Sequence, residues 1–264
     1  VAEHYYAAGH IEGKCFVFPN RRALTFFKKY LSEKVKAAGV PVFAPQLSAI
    51  DDFLFHASSL RQADRICLLL ELYESYRSLN REAEPLDDFI FWGDVLLGDF
   101  DDVDKYLIDP AGIFTNIAQF KEMQKPEEYL TDNQLNAIRE FIGHFENDGE
   151  IKREFRKIWD ILYDLYVDFR SRLSDRGLSY QGMAYRSLAD RFSSEAASDI
   201  ISERFGACEK IVFVGLNALT ECEKRIFSKL RDAGIAEFCW DYSSEWIKDA
   251  DNKSSFFLSK YVET

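Results

Sequence analysis

The chain has 264 residues, of which 47% are hydrophobic and 15% aromatic, including 23 Phe and 13 Tyr. That is ample apolar material for a packed core, and it excludes a disordered chain. The net charge of -12 is the reverse of what a freestanding nucleic-acid binder carries, because phosphate contacts need Lys and Arg.

In chain order, Cys15–Phe18 is a short β-run closed by Pro19. Asn20 is placed to cap the helix that follows, since its side-chain oxygen can accept a first-turn amide hydrogen. Ala23, Phe26, Phe27, Tyr30 and Leu31 fall on one face of that helix, and Gly39-Val40-Pro41 ends it. Val42–Ala44 is a candidate second strand. Ser48 is the expected cap of a second helix, with Asp51 and Asp52 favoured by its positive end.

From Asp51 to Gly206 the pattern shows no strand. Ile66, Leu69, Leu70 and Tyr73 form one helical stripe, extended by Tyr76. A longer stripe, Phe155, Ile158, Trp159, Leu162, Leu165, Tyr166 and Phe169, is ended by Gly177. Loop signals fall near Asn80–Pro85, Gln124–Glu128 and Asn147–Gly149. Lys152, Arg153, Arg156, Lys157, Arg170 and Arg172 are expected on the exposed face of the long helix.

The α/β pattern then resumes. Lys210–Val214 reads as a buried strand, Gly215-Leu216-Asn217 as a turn, and Thr220 with Glu223 as a capping box. Ile226, Phe227 and Leu230 face inward on the next helix, which ends at Ala233-Gly234. Glu237–Trp240 is the next strand. The expected fold is α/β, a parallel-sheet domain from 1–50 and 207–264, interrupted by a helical insertion at 51–206.

Five cysteines and four histidines stand apart, with no C-x-x-C and no Cys/His cluster. The expectation is reduced thiols in a cytoplasm, with no zinc site and no nucleophilic Cys/His pair. Val1–Gly9 lack the basic start and apolar centre of a signal peptide, and no apolar run approaches ~18 residues, so no membrane association is expected. A start at Val1 rather than Met leads us to expect a fragment or a trimmed chain.

The most informative segment is Phe16–Ala23, reading FVFPNRRA. A strand end, a polar turn and a helix start bring backbone amides and Arg side chains to where a phosphate can meet them. By itself the segment reads more readily as a capped helix with two solvated arginines. It resembles a helicase motif in which a strand leads through a Thr-Asn-like turn into a helix that contacts single-stranded DNA. Pro45–Phe53 looks like the next such motif, and Ile211–Lys224 stands where these helicases carry their Walker B strand.

More closely, the chain is similar to the N-terminal region of AddB-type helicase–nuclease subunits, in the form found in PD-(D/E)XK nuclease family proteins of the Bacteroides group. The resemblance spans nearly the whole chain, and Phe18–Ala23, Phe91–Tyr106, Val214–Thr220 and Trp240-Asp241 carry most of it. It implies a P-loop-NTPase-like (UvrD-like helicase) sheet. It also implies a role in repair of broken-end DNA beside an AddA-type helicase motor subunit, with contacts to single-stranded DNA at Asn20, Arg21 and Arg22.

The departures matter as much. Hydrolysis of ATP needs a Gly-rich phosphate loop with Lys, and an acidic pair that holds Mg²⁺ and orients water. No G-x-x-x-x-G-K-[ST] occurs, and Gly215-Leu216-Asn217 occupies the degenerate Walker B position. The Glu-x-Lys fragments at Glu12-Gly13-Lys14 and Glu150-Ile151-Lys152 lack a strand-borne Asp before them and read as chance matches to a nuclease site. The run Asp99–Asp104 lacks the central Gly and final Glu of a calcium loop and reads as solvated or helix-terminal carboxylates. The expectation is a non-catalytic helicase-like region with no cofactor of its own. The alternatives are a pure protein-interaction scaffold, or an ATPase whose phosphate loop precedes residue 1.

Overall fold

A computed structural model describes residues 1–9, 11–114, 161–206, 208–242, 245, 247 and 256–262. In chain order the elements begin with α1 (Ala2–Ala8), β1 (Lys14–Phe18), α2 (Arg21–Ala38), β2 (Gln46–Ala49) and α3 (Ile50–Ser58). Next come β3 (Arg61–Gln62), α4 (Arg65–Leu79), α5 (Leu86–Lys105), α6 (Leu162–Asp175) and β4 (Leu178–Ser179). The last are α7 (Gln181–Ser194), α8 (Ala197–Phe205), β5 (Lys210–Val214), α9 (Glu221–Asp232), β6 (Ala236–Cys239) and α10 (Phe256–Val262). The chain forms two compact units, one of Val1–Ser59 with Ala184–Thr264, the other of Leu60–Met183.

The first unit is mixed α/β. Its four strands are all parallel, in the order β2-β1-β5-β6. Side chains alternate across a strand, so Phe16, Phe18 and Val212 share one face while Phe213 takes the other. On the first face they pack with Phe27 and Leu31 of α2 and with Tyr5 of α1. On the second, Phe213 lies 4.2 Å from Phe227 of α9 and 5.2 Å from Phe238 of β6, ring centre to ring centre. Phe53 of α3 stacks on Phe205 of α8 at 4.8 Å and meets the edge of Phe213. Helices α3 and α8, expected with the helical segment, therefore belong to the unit that holds the sheet.

The N-terminal half of this unit departs from its sequence pattern in three places. Val42–Ala44 is exposed, and the second strand is Gln46–Ala49, which pairs residue for residue with Cys15–Phe18. Ser48 lies within that strand rather than capping a helix, and its hydroxyl donates to the Ala49 carbonyl. On α2 only Phe27 and Leu31 of the expected stripe are buried, while Phe26 and Tyr30 stand exposed. The caps follow the sequence closely. Asn20 Oδ1 accepts from the Ala23 amide at 2.9 Å, and Gly39 takes the left-handed conformation that ends α2.

The second unit is helical around one aromatic core, with Tyr76, Phe89, Trp92, Phe100, Phe169 and Tyr180 among its buried rings. It also holds a two-stranded parallel pair, β3 with β4, where no strand was expected. The buried face of α4 is Leu68, Leu72 and Tyr76, while Ile66 and Leu70 are exposed, so the stripe is offset from the one expected. Asp104, expected as a solvated or helix-terminal carboxylate, lies in the last turn of α5 and is fully buried. It accepts hydrogen bonds from Tyr166 at 2.6 Å and Tyr180 at 2.5 Å and pairs with Arg170, which therefore does not decorate an exposed face. Arg172 bonds Asp168 of its own helix. Lys152, Arg153, Arg156, Lys157, the Glu150-Ile151-Lys152 match, His10, His144 and the start of the long stripe lie outside the described residues.

Candidate functional site

The first link from β1 leads to its neighbour on one side, β2, whereas β5 lies on its other side and leads on to β6. Right-handed crossovers in opposite directions put their helices on opposite faces. The packing agrees, with α2 on the Phe16 face and α9 on the Phe213 face. The carboxyl ends of β1 and β5 therefore flank the switch point of the sheet. In open parallel sheets the loops diverge there and leave a crevice for a ligand.

The two segments singled out from sequence follow these two strand ends. After β1 come Pro19, Asn20, Arg21 and Arg22, all exposed. Asn20 satisfies the Ala23 amide, which leaves the first amides of α2 turned outward beside two guanidinium groups. Arg21 is not idle. Its guanidinium reaches Asp52 at the start of α3 with two hydrogen bonds, 3.3 and 3.1 Å, and this contact raises its pKa further. Arg22 makes no ion pair among the described residues. Asp52 was anticipated only as a charge favoured at a helix start; nothing in the local pattern links it to Arg21, 31 residues earlier.

On the other side β5 ends at Val214 and turns through Gly215, whose φ of 68° is left-handed. Leu216 is buried and Asn217 exposed. The nearest acids in sequence are committed to α9. Glu223 accepts from the Thr220 amide at 2.7 Å in a complete capping box, and Glu221 pairs with Lys224. The end of β5 thus presents no carboxylate of its own to a metal ion. Among the described residues no group of three His, Cys, Asp or Glu could hold one.

Glu12-Gly13-Lys14 lies on the short turn into β1, not on a strand pair with a preceding Asp. Among the described residues no helix is long and apolar enough to cross a membrane. No protein-family model matches the sequence, and no curated protein matches it.

Proposed function

We propose that the sheet unit is a helicase-like scaffold without motor chemistry. Its P-loop-NTPase-like sheet holds single-stranded or broken-end DNA and docks a motor subunit of AddA type, as the resemblance to AddB-type subunits implies. The observation that carries this reading is the turn after β1. Two arginines and the open amides of α2 stand together at the switch point of a parallel sheet, opposite a β5 end without an acidic pair. Phosphate suits the first half of that arrangement, because guanidinium and helix-start amides both donate to its oxygens. Hydrolysis of ATP does not suit the second half, because Gly215 and Leu216 offer no ligand for Mg²⁺.

The test is a salt titration of fluorescent single-stranded oligonucleotide binding. The double variant Arg21→Ala with Arg22→Ala is expected to bind more weakly. Its log–log salt slope should be shallower by about 1.4, at roughly 0.7 per phosphate contact on a single strand. Equal affinities and slopes would move the DNA role away from this turn. They would favour a protein-interaction scaffold, which the exposed side chains of Phe26, Tyr30 and Phe43 in the same unit also suit.

A further inference from the structure

A cleft lies on the α9 face of the sheet unit, where β6 pairs only with β5 among the described residues. It encloses ≈ 380 Å³ and is lined by Leu219, Lys224, Phe227, Ser228, Arg231, Phe238, Trp240 and Tyr261. That volume falls toward the lower end of the ~300–1,000 Å³ found for small-ligand sites, and so suits one compact group.

The two walls differ in chemistry. One is a single face of α9, where Lys224, Ser228 and Arg231 recur at helical spacing. The two cations stand about 10 Å apart along the axis at 1.5 Å rise per residue. The other is a ladder of rings. Phe213 in the core stacks on Phe238 at 5.2 Å and 14°, Phe238 on Trp240 at 5.6 Å and 8°, and Trp240 on Tyr261 at 5.3 Å and 14°. Phe213 anchors the ladder in the packed interior, while Phe238, Trp240 and Tyr261 are half-buried and line the cleft.

Lys224 and Arg231 each have an acidic neighbour, Glu221 at 2.6 Å and Asp232 at 3.3 Å. These side chains are all at least 40% exposed, and such pairs are weak enough to yield to a phosphate. A basic wall facing a stack of flat rings is the combination on which nucleic-acid strands lay their backbone and their bases.

We propose that this cleft binds one nucleobase–phosphate unit, with the base stacked on Tyr261, the outermost ring of the ladder, and the phosphate held by Lys224 and Arg231. That the unit belongs to single-stranded DNA rests on the function proposed above; a free nucleotide presents the same chemistry. Neither wall depends on Arg21 or Arg22.

The experiment uses the full chain and three variants, Lys224→Ala with Arg231→Ala, Tyr261→Leu, and Arg22→Ala. Circular dichroism checks each fold. The probes are labelled oligothymidylate, an abasic strand of equal length, thymidine monophosphate and polyglutamate. Tyr261→Leu should weaken oligothymidylate binding about five-fold or more, in line with the loss of one stacked base, and should leave abasic-strand binding unchanged. The double variant should weaken both strands and flatten the salt slope by about 1.4. Because its side chains lie on a helix surface, this variant keeps the question open to test even where Tyr261→Leu unfolds. Thymidine monophosphate bound as tightly as the strand, with the same losses in both cleft variants, would identify a free nucleotide as the source. Losses in the cleft variants with none in Arg22→Ala would uphold the cleft and remove the DNA role of the β1 turn. A loss in Arg22→Ala alone would overturn the cleft and leave the turn. Binding of polyglutamate but not of oligothymidylate would overturn it in favour of an acidic protein partner.

Discussion

Arg21 and Arg22 are neighbours in sequence but differ in what each must give up to meet a phosphate. Arg21 exchanges a two-point contact with Asp52, whereas Arg22 has no ion pair to give up among the described residues. Arg22→Ala is therefore expected to cost more single-strand affinity than Arg21→Ala, with a salt slope shallower by about 0.7, which parallel titrations of the two variants measure. A larger effect from Arg21 would mean that Asp52 turns aside when DNA binds. Asp99 offers a different test. Its Oδ2 is buried without a hydrogen bond, and burial, reinforced by the Asp102 charge, pushes its pKa up to about 7. The folded chain then holds a proton that the unfolded chain releases near pH 4, so stability falls as pH rises from about 4 to about 7. Asp99→Asn should remove that fall and raise stability above pH 7 by up to about 4 kcal/mol, with little gain near pH 4. Urea denaturation across that range reads it; equal gains at all pH values would contradict the assignment. Asp104, by contrast, has hydrogen-bond partners in place. Asp104→Ala leaves Arg170 and two tyrosines without their acceptor and should cost about 3–5 kcal/mol.

At the scale of elements, the helix starts are the most predictable feature, because a cap is decided within four residues. Asn20 and the Thr220–Glu223 box stand where their sequence places them. Thr220→Ala should cost about 1 kcal/mol in urea midpoint with the m-value unchanged. Non-local choices are the ones the pattern misses. Val42–Ala44 has the better β composition, but Gln46–Ala49 is the segment in register with β1, and the ladder decides. The stripe on α4 is shifted because Leu68, Leu72 and Tyr76 are the residues that enter the aromatic core, where Tyr76 meets Phe89 and Trp92 of the next helix. Gly182 is another contact no local pattern reveals. A β-carbon there would overlap the Asp101 carbonyl oxygen, and its amide donates to the Asp101 carboxylate at 2.5 Å. Gly182→Ala should therefore destabilise by about 1–3 kcal/mol despite alanine's better helix propensity. Of the candidate site, the two turns were legible from sequence as strand-to-helix signals. Their place at the ends of neighbouring strands was not, because it follows from strand order, nor was the meeting of Trp240 with Tyr261, a tertiary contact between the end of β6 and α10.

For the whole molecule, the net charge of -12 opposes the DNA contact proposed for the β1 turn, and any such contact has to be local. A chain of this charge repels a strand at long range, so its own affinity should be low. Purified chain with Mg²⁺, ATP and oligothymidylate should release no phosphate above the blank. The reason lies in the backbone as well as the side chains. Gly215 holds a left-handed φ of 68°, a conformation that costs an ordinary residue roughly 1–2 kcal/mol, and Leu216 is buried beneath it. Restoring an acidic pair by Gly215→Asp with Leu216→Glu therefore strains the turn and exposes a core position. It should lower stability without creating turnover. Phosphate release by the unaltered chain, lost on substitution of Asp52 or Asp241 at the carboxyl edge of the same sheet, would instead identify a metal ligand supplied from a neighbouring strand and overturn the scaffold reading.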